Sequence, residues 1–480
     1  SFPRIDIWSD TIATRGNHQP VWRYLLDDGS ETRAGTTGIY TNPFGDLVTG
    51  ANKLGTVPDF DFLAVPGVNP LVMFDVFPGS PAVAKGSIIV FNGNYTQDEV
   101  GRTGVFFSKL EDAPIPLSDG SELAPAAGVS PIVLIANNTD TLIPGTKTIF
   151  GSTSPPNAVG GHVVFAGFDN EAEPSLGGIY LAPLRERPRL RTLVGIGQRV
   201  PGEAADGVFN GLGEGVACVG RHVAFWGAWG TETHTLRLYC PQEGNRDRIA
   251  FCNQNLVCAD SGEVLGDPNS ICDDMSDPNW PVCYQEREVP VHQGIFLHDI
   301  KHRRTRAVAK TGDRFGDFLF WNYSGRVPCL GGGHSEEGAE DDGEPARWRS
   351  SAFVAVSRHR VAFKAVEGDI VGIFLHSGYG RHIATVLDTR TDGQLVDPEA
   401  PIGSVVTEVG LEREGLRGRW LALSAKMGVE DGTEEDGMAG VYITRLRAAH
   451  CGSHRPRYRA HEGYSTAPPG NQRDRASERP

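Results

Sequence analysis

The phrase GGHVVFAG at residues 160–167 occurs again, in nearly the same form, as GRHVAFWG at residues 220–227. Each copy joins a turn-forming glycine to a short run of Val, Ala and Phe, which is typical of a β-strand that begins directly after a tight turn. Self-similarity at a spacing of about 60 residues predicts an architecture that grows by repeating one sheet unit.

Each phrase belongs to a longer unit with three elements. The first is an apolar strand that ends in Phe or an equivalent residue, with copies at 21–24, 88–91, 163–165, 223–225, 361–363 and 420–423. The second is Gly-Ile-Tyr or a variant, at 38–40, 104–106, 178–180, 294–296, 372–374 and 440–442. The third is another apolar strand, at 46–59, 132–145, 192–202, 307–316 and 384–394. A sixth copy of this third element is missing after Tyr442.

A unit with three or four short strands cannot bury its own faces, so neighbouring units must stack. Linear stacking gives a solenoid, whereas radial stacking gives a β-propeller. The N-terminal residues 4–16 could supply the missing strand, which would close a ring and remove exposed sheet edges. The sequence therefore predicts an all-β chain with few helices, folded over residues 1–450 as a six-bladed propeller that the N-terminal segment closes.

Only the fourth unit departs from this spacing. Sixty-eight residues separate Phe225 from Gly294, and this stretch holds five cysteines. Loops of that length without regular structure are uncommon in compact domains. We expect a cysteine-stapled insertion at residues 235–290.

The chain has eight cysteines: Cys218, Cys240, Cys252, Cys258, Cys272, Cys283, Cys329 and Cys451. An even number in loop-like surroundings indicates disulfides formed in an oxidising compartment. Zinc is the competing interpretation, but no CxxC pair occurs. The spacing leaves the pairing open, and Cys451 could bond to Cys329, to the insertion or to another chain.

Three N-x-[ST] triplets, at Asn94, Asn137 and Asn322, are expected glycosylation sites and agree with a secretory route. The sequence begins at Ser1, and we expect that a signal peptide preceded it and was removed. No run of about 18 apolar residues occurs, so no membrane span is expected.

The net charge of −15 argues against binding to nucleic acid or to anionic lipid. Two acidic stretches, 335–344 and 430–437, could bind calcium or form solvated loops, and no other cofactor is expected. Residues 451–480 are basic and poor in aliphatic side chains. This tail is predicted either to be disordered or to dock on an acidic neighbour, such as another copy of the chain.

The phrases GRHVAFWG, GGIYLAPL (177–184) and TLVGIGQRVPG (192–202) resemble the tandem repeats of secreted and surface-attached propeller proteins, mostly of unknown activity. The resemblance covers roughly residues 15–445 and implies a propeller in an extracellular location. It implies no catalytic residue. Some secreted polysaccharide lyases are also propellers, which is an analogy at the level of the fold alone.

His162 and His222 precede the repeat aromatic by three residues, where other copies have Ile88 and Arg360. A position that accepts Ile, His and Arg is most simply a partly exposed strand residue. In the alternative interpretation, basic side chains from successive blades converge at one mouth of the ring. His162, His222, His359 and Arg360 would there neutralise a uronate carboxylate, with His or one of Tyr180, Tyr239 and Tyr323 as the base of a lyase.

Two functions follow from these observations. The first is a secreted, glycosylated propeller that binds an extracellular glycan or copies of itself, as a structural or adhesive part of a matrix, surface layer or filament. The second is a polysaccharide lyase, or a related carbohydrate-active enzyme, that acts on an acidic glycan. A serine hydrolase and a phosphate-binding loop are not supported, because neither motif occurs.

Overall fold

The computed structural model describes residues 5–18, 24–25, 31–32, 36–52, 64–68, 72–112, 128–129, 131–204, 206–258, 261–276, 281–325, 327–329, 345–378, 382–429 and 437–446. These residues form antiparallel sheets that are arranged as the six blades of a β-propeller, which confirms the predicted fold class. No helix in the described part of the chain is long and apolar enough for a membrane span.

The first three blades follow one another along the chain. Blade one contains β1 (Ile5–Trp8), β2 (Thr11–His18), a small hairpin of β3 (Tyr24–Leu25) and β4 (Glu31–Thr32), then β5 (Thr36–Thr41) and β6 (Val48–Asn52). Blade two contains β7 (Phe74–Val76), β8 (Ala82–Ala84), β9 (Ile88–Gln97), β10 (Val100–Glu111), β11 (Gly128–Val129) and β12 (Val133–Asn137). Blade three contains β13 (Ser152–Thr153), β14 (Asn157–Val159), β15 (His162–Phe168), β16 (Gly177–Pro183) and β17 (Arg191–Gly195).

Blade four carries the largest addition to the repeat. It contains β18 (Phe209–Leu212), β19 (Ala217–Val219), β20 (His222–Tyr239), helix α1 (Arg246–Cys252), β21 (Leu256–Val257), β22 (Val264–Leu265), β23 (Ile271–Asp274), β24 (Val282–Asp299) and β25 (Arg304–Lys310). A separate hairpin of β26 (Phe320–Ser324) and β27 (Arg347–Ser351) leads to blade five.

The last two blades complete the ring. Blade five contains β28 (Val354–Ser357), β29 (Arg360–Glu367), β30 (Ile370–His376) and β31 (Ile383–Asp388), and the short helix α2 (Gly393–Val396) follows it. Blade six contains β32 (Val405–Gly410), β33 (Leu416–Arg417), β34 (Trp420–Gly428) and β35 (Met438–Arg445). The first five blades each have an outer strand beyond the second repeat element, whereas the described residues of blade six end at β35.

The repeat sets the register of every blade. The last residue of the first element lies opposite the last residue of the second element on the neighbouring strand. These pairs are Thr14 and Tyr40, Phe91 and Phe106, Phe165 and Tyr180, Phe225 and Phe296, Phe363 and Phe374, and Leu423 and Tyr442. The predicted Val-Ala-Phe register is therefore confirmed in blades two to six, whereas in blade one the partner of Tyr40 is Thr14 and not a residue of the predicted segment 21–24.

The glycine of the Gly-Ile-Tyr element is required by close approach and not by its backbone angles. A Cβ atom on Gly178 would lie 2.2 Å from the carbonyl oxygen of Val194 on the outer strand. On Gly440 it would lie 2.7 Å from the hydroxyl of Tyr442, two residues later. The outer strand also changes register beside this element in blades one to five. Such β-bulges increase strand twist, so the motif marks the point where each blade bends.

Packing between sheets forms the core. The aromatic cluster of blade three, with Phe165 and Tyr180 fully buried, packs against Val90 and Phe107 of blade two. The innermost strands contact one another in the order β1, β8, β14, β19, β28 and β33. Each sheet thus buries on its neighbours the apolar faces that it cannot cover alone.

Two details of blade one differ from the sequence prediction. Residues 4–16 were expected to complete blade six, but Ile5–Trp8 and Thr11–His18 are the two inner strands of blade one. The first repeat element of this blade is consequently Ile12-Ala13-Thr14. The segment proposed for that role, 21–24, lies outside the described residues except for Tyr24 in the small hairpin. The N-terminal segment closes the ring differently, since the Arg417 guanidinium of blade six donates to the Ile7 carbonyl at 3.3 Å.

A turn of blade six reaches across the axis of the ring. The Nη1 and Nη2 atoms of Arg413 donate to the carbonyl oxygens of Pro156 in blade three, at 2.7 Å, and Pro81 in blade two, at 3.2 Å. Its Nε atom bonds to Glu414 at 3.2 Å, and Asn157 donates to the same carboxylate at 3.0 Å. Burial raises the pKa of Glu414, although Arg413 acts in the opposite direction. This partly buried pair joins three blades.

The insertion in blade four is a continuation of its own hairpin. The ladder between β20 and β24 extends to Tyr239 and Tyr284, far beyond the blade. Disulfides Cys240–Cys252 and Cys272–Cys283 staple this outgrowth, and Cys258–Cys329 ties it to the segment that carries the β26–β27 hairpin. The predicted stapled insertion is thus confirmed, with its partner hairpin as an addition.

The prediction that all eight cysteines form disulfides is wrong for Cys218. This residue lies on the inner strand β19, is buried, and has a free thiol. Burial raises the pKa of that thiol, because the thiolate would lose its hydration. Cys451 lies outside the described residues.

Arg413→Ala should lower the free energy of unfolding by about 3 kcal/mol, because it removes the bonds across the axis and leaves Glu414 buried without its partner. The double variant Arg413→Ala/Glu414→Gln should recover part of this loss, because it also removes the stranded charge. Urea denaturation measures both. Arg419→Ala, an exposed change on the same blade, is the matched control. Equal stability of Arg413→Ala and Arg419→Ala would contradict the assigned role.

Candidate functional site

A cleft of about 630 Å³ opens between the turns of blades three and four. The turn between β14 and β15 and the loop between β16 and β17 form one wall. The turns between β19 and β20 and between β24 and β25 form the other wall. The lining residues are Val159, His162, Leu181, Pro183, Arg185, Arg189, Leu190, Arg191, Gly220, Arg221, Ile300 and Lys301.

The two repeat phrases build the rim of this cleft through tight hairpin turns. Val159 pairs with His162, and Val219 pairs with His222, so each turn has two residues. Gly160 and Gly220 open these turns with φ angles of +59° and +63°, a conformation that glycine adopts without strain and that matches the twist of a hairpin. The histidine that follows each turn is therefore the first residue of its strand and lies at the rim.

The charge of the cleft is opposite to that of the whole chain. Its lining contains five cationic side chains, Arg185, Arg189, Arg191, Arg221 and Lys301, and none of its described residues is a carboxylate. Arg221 forms an ion pair with Asp299 at 3.2 Å, just outside the lining. Among the described residues, the other four cations have no carboxylate within ion-pair distance. The cleft therefore presents uncompensated positive charge to solvent.

The rim histidines titrate at low pH. Burial lowers the pKa of His162, and the nearby cations Arg191 and Lys85 lower it further. Burial also lowers the pKa of His222, although Asp299 acts in the opposite direction. These imidazoles are accordingly neutral at pH 7 and gain charge only below their ordinary pKa of about 6.5.

A second basic group lies on the same side of the ring at the turn of blade five. Arg306 of blade four donates to the carbonyl of His359 at 3.2 Å, and Arg360 donates to the carbonyl of Gly418 at 3.1 Å. Burial lowers the pKa of His359, and the cations Arg360, Arg306 and Arg358 lower it further. Basic residues at the corresponding turns of blades three, four and five thus lie on the same side of the ring.

The tyrosines proposed as lyase partners lie elsewhere. Tyr180 is buried between blades, with its ring 5.2 Å from that of Phe150, and burial raises its pKa. Tyr239 lies on the outgrowth, at the other end of β20 from His222. Tyr323 is buried and donates a hydrogen bond to Asp267 at 2.6 Å. The described residues therefore bring His162, His222, His359 and Arg360 to one mouth without any of these tyrosines.

Most residues of the cleft belong to no motif of the sequence. Arg185, Arg189 and Arg191 belong to the stretch PLRERPRLR at 183–191, where four arginines fall within seven residues. This density of arginine between two apolar strands was the feature of the sequence that could have indicated a basic site. Lys301 and Arg221 come from isolated turns, and only the stacking of blades three and four places them opposite these arginines.

The three sequons differ in accessibility. Asn322 is exposed on the β26–β27 hairpin. Asn94 is half-buried within β9. Asn137 is 5% exposed, and its Oδ1 atom accepts from the amides of Thr139, Asp140 and Thr141 in a turn.

The two acidic stretches, for which calcium binding and solvated loops were the alternatives, lie almost entirely outside the described residues. The acidic stretch 335–344 and residues 430–436 of the second stretch lie outside the described residues, as does the basic tail 451–480. Within the described ranges, no group of three or more His, Cys, Asp or Glu side chains could hold a metal ion.

No family model matches the chain, and no curated protein matches it significantly. Among solved structures the chain is similar to Porphyromonas gingivalis dipeptidyl peptidase 4, at 9% sequence identity and a TM-score of 0.30. The match covers 91% of this chain and 53% of that chain, so this chain spans about half the length of the peptidase. This likeness assigns no activity to the chain.

Arg191→Gln should raise the pKa of His162, because it removes a cation beside the imidazole, and should leave the pKa of His359 unchanged. An NMR titration of the histidine ring protons measures both values. The pKa of His298, which burial lowers to about 4 with a further contribution from Arg191, should also rise in the variant. His359, whose pKa is lowered by burial and by Arg360, Arg306 and Arg358, is the internal reference. If the His162 pKa were the same in the variant and the wild type, the described geometry of the cleft would be wrong.

Proposed function

We propose that the protein is a secreted β-propeller that works by binding, and that its basic cleft binds an acidic glycan. The supporting observation is a lining with five cations and no carboxylate on a chain of net charge −15. A concave site of one charge sign concentrates ligands of the opposite sign. Because the rest of the molecule repels anions, an anionic ligand is directed to this face.

The composition of the cleft suits a uronate sugar. Arginine forms paired hydrogen bonds with carboxylates, and Arg189 and Arg191 provide two guanidinium groups on one loop. Leu181, Leu190 and Ile300 supply apolar surface in the same lining. Binding sites for small molecules and sugars commonly combine apolar walls with a few charged groups.

Secretion is supported by covalent structure and by one sequon. Three disulfides hold the outgrowth together, and such bonds persist in oxidising compartments. Asn322 is exposed and available for a glycan. We place the protein as a structural or adhesive component of a matrix, surface layer or filament, in keeping with its resemblance to secreted repeat propellers.

The lyase remains as a second candidate because of one observation. His162 has a lowered pKa beside Arg191, so a neutral base and a carboxylate-binding cation occur together. Incubation with polygalacturonate distinguishes the two functions, since a lyase releases an unsaturated product that absorbs in the ultraviolet. Binding without product supports the binding function, whereas product that is lost in His162→Ala supports the lyase.

The double variant Arg189→Gln/Arg191→Gln should weaken binding to polygalacturonate about tenfold, since a loss of about 1.4 kcal/mol corresponds to that factor. Calorimetric titration at two salt concentrations measures the effect, and added salt should weaken the wild type further. Acidification below pH 6.5 should tighten wild-type binding as the rim histidines gain charge. Neutral dextran and the variant Arg246→Gln, in the distant outgrowth, are the controls. A wild type that bound dextran and polygalacturonate equally would refute the proposal.

Expression in a eukaryotic secretory host should give a glycan at Asn322, so Asn322→Gln should lower the mass of the secreted protein by one glycan. Asn137→Gln should instead lower stability, because its buried amide caps a turn. Intact-mass measurement with and without glycosidase treatment tests this. An Asn322→Gln protein with unchanged mass would contradict the assignment.

A further inference from the structure

The basic surface does not end at the cleft. Arg221 lines the cleft, and the next residue, His222, begins β20, a strand that contacts the inner strand β28 of blade five. Inner strands β19 and β28 contact each other directly, so the turns at their ends are neighbours. Packed sheets lie about 10 Å apart, and blade five is two sheets away from blade three. The surface from the blade-three turn to the blade-five turn therefore spans about 20 Å.

The blade-five turn has the same charge character as the cleft. Arg306 and Arg360 donate to main-chain carbonyls, which hold the guanidinium groups in place without neutralising them. Arg358 is exposed at the tip of the turn. The cations Arg360, Arg306 and Arg358 all lie close enough to His359 to lower its pKa, in addition to burial.

We infer that the ligand is an extended polyanionic glycan whose chain runs along this face from the cleft to the turn Arg358–Arg360, which forms a second subsite. This inference rests on the proposed function, and it adds the length and direction of the ligand. A single sugar or disaccharide would occupy the cleft alone. Several repeated carboxylates would be needed to contact both basic groups at once, and linked contacts raise affinity more than either contact alone.

The second subsite can be tested by a variant that preserves the turn. Arg358 has a φ angle of +56°, which Asn tolerates better than most residues, so Arg358→Asn removes charge while it keeps the backbone. It should weaken binding to a long oligogalacturonide about fivefold, the scale of one exposed charge contact, and leave binding to the digalacturonide unchanged. Arg246→Asn in the outgrowth is the charge-matched control.

Calorimetric titration with the digalacturonide and the long oligomer separates the possible outcomes. Tighter binding of the oligomer, lost selectively in Arg358→Asn, supports the extended path. Equal affinity for both lengths, or an equal loss for both lengths in Arg358→Asn, overturns it while the cleft proposal stands. Absence of wild-type binding to either ligand overturns the proposed function itself. A circular dichroism spectrum and an unfolding curve establish that Arg358→Asn is folded.

Discussion

A missing Cβ atom allows the second and third strands of the repeat to approach each other closely in the first four blades. In blades one to four the glycine of the second repeat element lies so close to the outer strand that an added Cβ atom would come within 3.0 Å of a backbone carbonyl oxygen, as at Gly178. This contact fixes the register of the paired strands, because a shift of one residue would turn every buried side chain outward. The register in turn decides which residue opens each strand after its turn. His162 and His222 reach the rim for this reason, and the cleft forms where two such rims meet.

The fold could be predicted because its signals are local. Val-Ala-Phe and Gly-Ile-Tyr lie within one hairpin, and their spacing along the chain determines which residues of the two strands pair. Blade one was misjudged because its true first element, Ile12-Ala13-Thr14, lacks the aromatic residue that marks the other copies. The pairing of Cys218 was predicted wrongly because an even number of cysteines does not show where each one lies. Cys218 lies on an inner strand, away from the outgrowth that holds the disulfides. Each of these errors concerns information that only the assembled ring contains.

The binding cleft was less predictable for a related physical reason. Its arginines lie in one loop of blade three, while Arg221 and Lys301 lie in two turns of blade four. None of these residues follows the repeat, and their meeting depends on how two sheets stack. The histidines were recognisable because they belong to the repeated phrase. The tyrosines were grouped with these histidines on residue type alone. The buried ring of Tyr180 shows that the residue type does not predict a catalytic role unless the position of the side chain is also known.

The long β20–β24 hairpin separates two chemically different regions of one molecule. Its His222 and Asp299 end lies beside the cationic face, and its opposite end carries the disulfide-stapled outgrowth. At about 3.3 Å per residue, the 18-residue strand β20 extends about 60 Å. Changes at one end therefore leave the chemistry of the other end intact, which is why the outgrowth supplies the control variants.

Arg413 and Glu414 also determine how opposite blades of the ring are connected. Their turn crosses the axis and is bonded to blades on the far side, so these two side chains act as a strut between opposite blades. A glycan chain bound in the cleft of blades three and four lies across the outer surface of the ring, where it can be added or withdrawn sideways.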